Sequence, residues 1–301
     1  MRAFVIHNPA AVSRRDWPVI AAALKTVFPR FVSMASPGRG QAARLVRDAL
    51  RDGHAEIVAV GGDGLFNEAV NGFFEHGAPV SPDAVLNLVS TTGGDIGLGR
   101  VHDVTAALQL AKVDAKPFDL GHVSCLTLEG AAVTRFFLGS ASFGLTADIA
   151  RRINRARLAA LAGVAFTRMT AQAMALAQWR PCHVRLMADH GQDEIDGIAA
   201  VGLLNAASFG DGLQAMPNAD PADGAFDIAV LGGGRRRDLR RRLEQLRQGD
   251  NAGIRSLRST RLTAAPTVET RRPVLVETDG EAIGMLPASF EIVPKAIRIR
   301  I

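Results

Sequence analysis

Asp63 is the residue of this chain best placed for phosphate chemistry, because three glycines surround it: Gly61, Gly62 and Gly64. The apolar run Val58–Val60 precedes this turn, and a helical pattern follows it. Glycines at a strand end let the backbone approach a ligand closely, and the N–H groups at the start of a helix favour an anion such as phosphate. The carboxylate of Asp63 could hold a cation against that anion. A tight turn capped by Asp63 is the alternative interpretation.

A second glycine-rich loop, residues 90–100, follows the predicted strand Val85–Val89. The hydroxyl groups of Thr91 and Thr92, together with exposed backbone amides, suit phosphate binding. In an open parallel sheet, ligands bind beyond the carboxyl ends of the strands, so loops at the ends of neighbouring strands would converge on one crevice. The alternative is that Thr92 and Asp95 cap a helix.

Near the C-terminus, Asp279, Gly280 and Glu281 follow another predicted strand. On an extended segment, two acids separated by one residue point to the same side. Phosphoryl transfer to an alcohol needs a base for the hydroxyl proton and a divalent cation against the phosphate oxygens, and two carboxylates can supply both. Taken alone, the tripeptide is also compatible with an ordinary turn.

The motifs of several other chemistries are absent from the sequence. It contains no G-x-x-x-x-G-K-[ST] phosphate loop, no G-x-G-x-x-G dinucleotide fingerprint and no H-E-x-x-H zinc motif. No G-x-S-x-G hydrolase motif or Cys/His pairing stands out. The two cysteines lie far apart and predict buried, reduced thiols in a cytosolic protein.

Composition and charge narrow the class of protein further. A chain of 301 residues, 48% of them apolar, predicts an ordered globular protein with two domains. The formal net charge is +5, and the arginine clusters that produce it lie in the second half, at 151–157, 235–237, 240–242 and 255–272. They indicate either a solvated surface or a surface that meets anionic lipid headgroups. Because the chain has no tyrosine and no nucleic-acid-binding motif, we do not expect nucleic acid as a partner.

The hydrophobic periodicity predicts an α/β domain followed by a mainly β domain. The first 118 residues alternate predicted strands with predicted helices, at Ala3–His7, Trp17–Val27, Arg30–Ser33, Gln41–Arg51, Ile57–Val60, Phe66–His76, Val85–Val89 and Asp103–Lys112. Gly77 is predicted to cap the helix that ends at His76. Continuous apolar strands in this order indicate a parallel sheet covered on both faces.

A different pattern begins after Asp119 and predicts an antiparallel domain with one or two helices. Residues 121–146 read as a hairpin of two strands, and Arg151–Gln178 as an amphipathic helical region. Further strands are predicted at Val184–Met187, Ile198–Leu204, Phe226–Leu231, Arg261–Thr263, Pro273–Glu277 and Ser289–Val293. We find no secretory signal and no transmembrane segment, because the longest apolar run, Leu158–Thr167, is too short to cross a bilayer.

These segments, in this order, resemble the lipid kinase family that includes bacterial diacylglycerol kinases and the catalytic domains of sphingosine and ceramide kinases. Asn8-Pro9 resembles its opening N-P loop, and Gly61–Gly72 matches its G-G-D-G-x-x-x-E-x-x-N-G pattern. Thr91–Asp95 is similar to a degraded form of its G-T-x-N-D loop. Residues 205–224 resemble its N-x-x-x-x-G-x-G and D-G stretch, and Asp279–Glu281 matches its D-G-E motif. The similarity runs nearly end to end.

The resemblance implies an α/β plus mainly β architecture with the active site in the cleft between two domains. An NAD-kinase-like α/β domain with a parallel sheet, residues 1–118 with a C-terminal return of 294–301, would bind ATP. A β-rich, antiparallel, sandwich-like domain, residues 119–293, would hold the lipid. The protein would be cytoplasmic and peripheral at the inner membrane face, with a membrane lipid as substrate, and a homodimer stays open.

The implied reaction is transfer of the ATP γ-phosphoryl group to a hydroxyl of diacylglycerol, ceramide or a sphingoid base. Asp279 would be the general base, with Glu281 and Asp63 also in the catalytic group. Mg²⁺ would be held by Asp95 and Glu281, and Asp223 would match a ligand of a structural Mg²⁺. Asp119 would join the acidic network. The predicted nucleotide contacts are Asn8, Pro9, Gly61, Gly62, Asp63, Gly64, Glu68, Asn71, Thr91, Thr92 and Gly93.

The chain departs from the family pattern in its two loops. Leu65 stands where Thr is common, as an aliphatic residue does in sphingosine kinases, while Gly94 replaces Asn and Thr91 replaces Gly. These departures tilt the expected substrate slightly toward a sphingoid base or ceramide. Two alternatives remain: a catalytically inactive nucleotide- or lipid-binding homologue, and an NAD kinase-like enzyme. The second would need two adjacent asparagines before a glutamate, which the sequence lacks.

Overall fold

The computed structural model describes residues 2–36, 38–91, 107–108, 110, 112–160, 168–206, 213–267, 270 and 272–300. Contacts between Cα atoms divide the chain into two compact units. The described part of the first unit comprises residues 2–91, those between 107 and 120, and 294–300, and the second comprises those between 121 and 293. The sequence had predicted this division at residues 118 and 119.

The first unit is a parallel sheet with helices. Its strands are ordered β6-β3-β1-β2, and all neighbours in this series are parallel. The central strand β3 is buried along its whole length, as its apolar sequence requires. The elements are β1 (Ala3–His7), α1 (Asp16–Val27), β2 (Phe31–Ala35), α2 (Gln41–Arg51), β3 (Glu56–Gly61), α3 (Asp63–Gly72), β4 (Phe74–Glu75), β5 (Ala78–Pro79) and β6 (Val85–Ser90).

Helix α3 differs from its prediction at both ends. It begins at Asp63 and ends at Gly72, whereas the sequence predicted Phe66–His76. His76 and Gly77, with φ of 50° and 81°, form the turn of the two-stranded β4–β5 ladder, so Gly77 is not a helix cap. Two successive residues with positive φ are typical of a tight hairpin turn, which competes with the helical pattern here. The helix predicted at Asp103–Lys112 falls largely outside the described residues.

The second unit is a mainly antiparallel β structure. Its main path runs β13-β12-β11-β10-β14-β16, while β9 pairs with both β11 and β15. Four phenylalanines, Phe137, Phe143, Phe226 and Phe290, lie in its largest hydrophobic cluster. The strands are β7 (Lys116–Leu126), β8 (Ala132–Phe137), β9 (Ser140–Gly144), β10 (Cys182–Ala188), β11 (Gly191–Leu204), β12 (Phe226–Gly232), β13 (Arg255–Ser259), β14 (Arg261–Pro266), β15 (Leu275–Thr278) and β16 (Glu281–Arg300).

Within the described part of this unit there are three helices: α4 (Leu145–Ala160), α5 (Arg168–Gln178) and α6 (Arg236–Arg247). Residues 121–146 are not one hairpin as predicted, because a third strand, β9, follows the β7–β8 hairpin and α4 already begins at Leu145. Helix α6 was not predicted from the sequence, because its many arginines dominate the pattern. Its leucines nevertheless recur at helical spacing, and all three are buried: Leu239, Leu243 and Leu246. The exposed strand β13 was also not predicted.

The last strand, β16, contributes to both units along its length. In the second unit, Glu291 of this strand pairs with Arg261 of β14. In the first unit, Arg298–Arg300 pair in parallel with Val85–Asn87 of β6. None of the helices in the described ranges is long and apolar enough to cross a lipid bilayer. Cys125 is buried and Cys182 half-buried, and both are free thiols.

Candidate active site

The glycine turn at the end of β3 creates an open helix N-terminus. Gly62 is extended, and its carbonyl oxygen accepts the N–H groups of Leu65 at 2.9 Å and Phe66 at 3.2 Å, so α3 begins at Asp63. A Cβ on Gly64 would meet no atom within 4 Å. The first amides of a helix point away from its body, so this open space beside them suits an anion.

The side chain of Leu65 packs so closely against position 61 that only glycine fits there. A Cβ on Gly61 would lie 2.8 Å from Cδ2 of Leu65, which is closer than real contacts allow. Leu65 is 7% exposed and therefore covers the backbone of Gly61 instead of presenting a hydroxyl to the loop. The substitution of the family's usual Thr thus has a packing consequence within the turn.

Asn8 lies beside the glycine turn. Its N–H donates to the carbonyl oxygen of Val60 at 3.2 Å, and its Oδ1 accepts the N–H of Ala10 at 2.9 Å. Its Cβ is 3.6 Å from the position that a Cβ on Gly61 would occupy. The structure therefore brings the Asn8-Pro9 loop and the Gly61–Gly64 turn together, with Pro9 exposed.

Glu68 and Asn71 have structural contacts inside the first unit. Oε2 of Glu68 accepts the N–H of Ala42 at 3.0 Å, which caps the first turn of α2. Asn71 bonds back to Asn67 within α3, with Nδ2 2.8 Å from the Asn67 carbonyl oxygen. These contacts account for both residues without a nucleotide, and their predicted nucleotide contacts stay predictions.

The second loop is only partly described. The N–H of Thr91 donates to the carbonyl oxygen of Gly61 at 2.9 Å, so this loop leaves β6 beside the glycine turn. The Oγ1 of Thr91 is buried and has no hydrogen-bond partner among the residues that the structure describes. Thr92, Gly93 and Asp95 lie outside the described residues. Asp119, predicted in the acidic network, is buried, and its Oδ1 accepts the N–H of Lys295 at 2.6 Å.

In the second unit, Asp279 and Gly280 form the two-residue turn between β15 and β16. Their φ values of 45° and 79° and the pairing of Thr278 with Glu281 are those of a tight hairpin, for which Asp-Gly is a preferred sequence. The turn does more than reverse the chain, because it directs the side chain of Asp279 at the segment that joins β8 to β9.

The Asp279 carboxylate is held by three backbone N–H groups. Oδ2 accepts from Leu138 at 2.9 Å, while Oδ1 accepts from Gly139 at 2.9 Å and from Ser140 at 3.1 Å. The Asp279 N–H in turn donates to the Ser140 carbonyl oxygen at 2.9 Å. Asn205 holds the same segment from its carbonyl side through Leu138 and Gly139. The carboxylate therefore has a defined position.

Glu281 forms a half-buried ion pair with Arg135 of β8, with Oε2 2.9 Å from Nη1. Sequence reasoning missed Arg135, since an arginine in an exposed hairpin has no distinguishing pattern. It also missed the segment 138–140, which acts through backbone groups and so leaves no side-chain signal.

Glu277 is a further group that sequence reasoning missed, although an acid at the end of the apolar run Val274–Val276 was a visible signal. It is fully buried. Burial raises the pKa of Glu277 to about 7, the charge of Asp279 adds to this, and hydrogen bonds from Ser142 and Gly280 oppose it.

The described residues contain no group of three or more His, Cys, Asp or Glu side chains clustered as metal ligands. Asp223 forms an ion pair with Arg258, and its Oδ1 accepts the N–H of Ala225 at 3.1 Å. These contacts fit a turn held by an ion pair. The described residues alone therefore do not fit a protein-only magnesium site, and the metal roles predicted for Asp95, Glu281 and Asp223 stay predictions.

Comparison with known proteins matches both units. Residues 2–123 match the family described as the diacylglycerol kinase catalytic domain, and residues 139–301 match the YegS C-terminal NAD kinase beta sandwich-like domain. A diacylglycerol kinase of Mycobacterium tuberculosis is 26% identical over 264 residues, which are 86% of this chain and 80% of the relative.

Solved structures show the same fold. A diacylglycerol kinase from Bacillus anthracis aligns with a TM-score of 0.74 at 18% identity, covering 99% of this chain and 96% of that one. Yeast NADH kinase complexed with NADH aligns with a TM-score of 0.56 at 9% identity, covering 99% and 82%. The predicted two-domain α/β fold with a β-rich second domain is confirmed at this level.

Proposed function

The chain belongs to the lipid kinase family that carries a diacylglycerol kinase catalytic domain and a YegS-type C-terminal domain, and we propose that it transfers the γ-phosphoryl group of ATP to a lipid hydroxyl. One observation carries the proposal: the Asp279 carboxylate is fixed by three backbone N–H groups at the tip of a hairpin, beside Glu281. This is the tripeptide that the resemblance assigns to catalysis. Diacylglycerol, ceramide and sphingoid bases are the candidate acceptors.

On the nucleotide side, the open N-terminus of α3 supports the assignment of the phosphate site. Gly62, Asp63 and Gly64 present backbone amides there, and the absence of a side chain on Gly64 leaves space for phosphate oxygens. Asn8 and Thr91 border the turn through their hydrogen bonds to Val60 and Gly61. We assign nucleotide contacts to these residues, while Glu68 and Asn71, also predicted to contact the nucleotide, make hydrogen bonds within the first unit.

On the acceptor side, Asp279 takes the proton of the lipid hydroxyl as its oxygen attacks the γ-phosphorus. One P–O bond forms to the lipid, the bond to the β-phosphate oxygen breaks, and ADP leaves. Three N–H donors hold the carboxylate in one orientation, which favours a base that must meet a hydroxyl at a defined place. Mg²⁺, which kinases generally use, would neutralise phosphate oxygens when bound.

The lipid substrate requires a membrane, and helix α6 supports a docking surface for it. Six arginines and two acids lie among its twelve residues, and five of the arginines are exposed: Arg236, Arg237, Arg240, Arg241 and Arg242. Leu239, Leu243 and Leu246 pack inward, so the charged face is turned to solvent. Such a face is complementary to anionic headgroups, to which each arginine contributes about 1 kcal/mol.

Phosphoryl transfer from radiolabelled ATP in mixed micelles tests the function. We expect a labelled phospholipid with at least one of diacylglycerol, ceramide and sphingosine, and a rate lower by about 10²-fold or more in Asp279→Asn with nucleotide binding retained. Phosphorylation of NAD or NADH in place of lipid would contradict the proposal. Nucleotide binding without turnover on any of these lipids would indicate an inactive homologue.

Sedimentation with vesicles tests the docking surface. The double variant Arg236→Ala/Arg240→Ala should bind vesicles that contain anionic lipid more weakly than the wild type, and added salt should weaken both. Arg14→Ala/Arg15→Ala removes two exposed arginines from the first unit and serves as the control. Equal losses in both double variants would show that binding follows net charge and does not involve α6.

A further inference from the structure

Glu277 is a buried carboxyl group that contacts the Asp279–Gly280 turn directly. Its Oε2 accepts the N–H of Gly280 at 2.8 Å, and its Oε1 accepts the hydroxyl of Ser142 at 2.6 Å. The side chain has no exposed surface. Burial disfavours the charged form of this carboxyl group even with both oxygens bonded, so the side chain is kept in place at a cost in stability. Its bond to Gly280 gives it a direct effect on the turn that carries Asp279.

Ser142 and Thr146 extend the contact into a short chain of hydroxyl groups. Their oxygens are 2.6 Å apart, and both side chains are buried. When Glu277 is ionised, Thr146 can donate to Ser142 and Ser142 to Oε1. When Glu277 is protonated on Oε1, it can donate to Ser142 and Ser142 to Thr146. The contact between Oε2 and Gly280 is kept in both arrangements.

Three groups of the second unit make hydrogen bonds to the Asp279–Gly280 turn. Glu277 holds the N–H of Gly280, and Nδ2 of Asn154 on α4 donates to the Gly280 carbonyl oxygen at 3.2 Å. The segment 138–140 holds the carboxylate of Asp279. Among these groups that hold the turn in the described residues, Glu277 alone is a buried side chain that can ionise.

We propose that Glu277 is a positioning residue for phosphoryl transfer, which fixes the Asp279–Gly280 turn and with it the place of the Asp279 carboxylate. The inference rests on the proposed role of Asp279 as base. Glu277 accepts from the Gly280 N–H and from the Ser142 hydroxyl of β9, so the turn cannot shift away from β9 without breaking one of these bonds. Glu277 acts through Asp279 and does not itself meet the substrate.

The surroundings of Glu277 leave Asp279 as its main charged neighbour. Strand β9, on one side, has no charged residue. Helix α4 carries Asp148, Arg151 and Arg152, while β16 begins with Glu281, whose charge is paired with Arg135. Asp279 is the charge that acts on the pKa of Glu277, which burial raises to about 7.

Two substitutions of Glu277 separate position from charge. Gln can accept from Gly280 and donate to Ser142, so Glu277→Gln keeps the turn in place but cannot ionise. Leu fills similar space and makes neither bond. We expect Glu277→Leu to lower kcat by about 10²-fold with little change in the KM for ATP. Glu277→Gln should retain most of the wild-type kcat, because the amide keeps both the bond to Gly280 and the bond to Ser142. Phe290→Leu, a buried change in the same unit, controls for lost stability.

The outcomes that overturn the inference are distinct from those that overturn the proposed function. A Glu277→Leu variant with wild-type kcat, or one whose kcat falls no more than that of Phe290→Leu, contradicts positioning. A Glu277→Gln variant whose kcat falls as far as that of Glu277→Leu also contradicts positioning, because the amide keeps both bonds to the turn and to β9. If the wild type transfers no phosphoryl group, the proposed function fails by itself. Hydrogen exchange of the Gly280 amide then decides the positioning, since equal protection in the wild type and Glu277→Leu overturns it.

Discussion

Gly64 is a single residue whose missing side chain is central to the proposed nucleotide site. Its backbone φ lies outside the positive region, and a Cβ would meet nothing within 4 Å, so Gly64→Ala should fold normally. The added methyl group would enter the space assigned to phosphate, and we expect the affinity for ATP to fall by about tenfold or more, or about 1.4 kcal/mol. Isothermal titration calorimetry measures the affinity for ATP.

Gly234→Ala is the matched control for this prediction, because Gly234 also has an open Cβ position but lies in the second unit. It should leave ATP affinity unchanged. An unchanged affinity in Gly64→Ala would place the phosphates away from this turn.

Glu277 also makes a residue-level prediction about stability. Burial raises its pKa to about 7 from the 4.5 of an ordinary glutamate, so the folded state binds more protons between these values. The contribution of Glu277 to the free energy of unfolding should therefore be highest below about pH 4.5 and fall by about 3 kcal/mol as the pH rises through about 7, with no further change from this group above that. Urea unfolding of the wild type and Glu277→Gln checks this, because the variant should lose that part of the slope.

At the level of elements, the contact between α2 and α3 depends on Gly72. A Cβ on Gly72 would lie 2.7 Å from the Ala43 carbonyl oxygen and 2.7 Å from Cβ of Val46. Gly72→Ala should destabilise the protein by about 1–3 kcal/mol, because α2 must move outward to admit the methyl group. Thermal unfolding measures the change. Gly64→Ala, in the same helix, should not produce it, and equal stability of the two variants would contradict the close packing.

The elements also show where pattern reading succeeds. Helix α2 has the bounds predicted for it, Gln41–Arg51, because its apolar residues recur at helical spacing and its ends are solvent-exposed. Helix α6 was missed because arginines dominate its composition, although its three leucines have the required spacing. The spacing of apolar residues thus indicates a helix in both cases. In α6 the run of arginines led to the helix not being predicted.

At the level of the whole molecule, a cluster of three polar side chains, Arg300, Glu56 and Asn87, holds the last strand in the sheet of the first unit. Nη1 of Arg300 lies 3.1 Å from Oε2 of Glu56 and 2.6 Å from Oδ1 of Asn87, and Asn87 donates to Glu56 at 2.8 Å. Arg300→Met should lower the free energy of unfolding by about 3–5 kcal/mol, because Glu56 would remain buried without its charged partner. Urea unfolding measures it.

Arg298→Met is the control, since Arg298 lies in the same strand but is exposed. The double variant Glu56→Gln/Arg300→Met should be less destabilised than the sum of the single changes, because no unpaired charge remains. Strict additivity would show that the two side chains act independently.

The sequence by itself determined the α/β class of the first unit, the β-rich class of the second and the glycine turn at Gly61–Gly64, because periodicity and turn chemistry act over a few neighbouring residues. It did not show where the Asp279 carboxylate points, nor that Glu277 lies beneath it. Those contacts join residues more than 130 positions apart in the chain, through backbone N–H groups and a serine hydroxyl. Only the packed sheet of the second unit brings such groups within hydrogen-bonding distance, so the tertiary structure decided them.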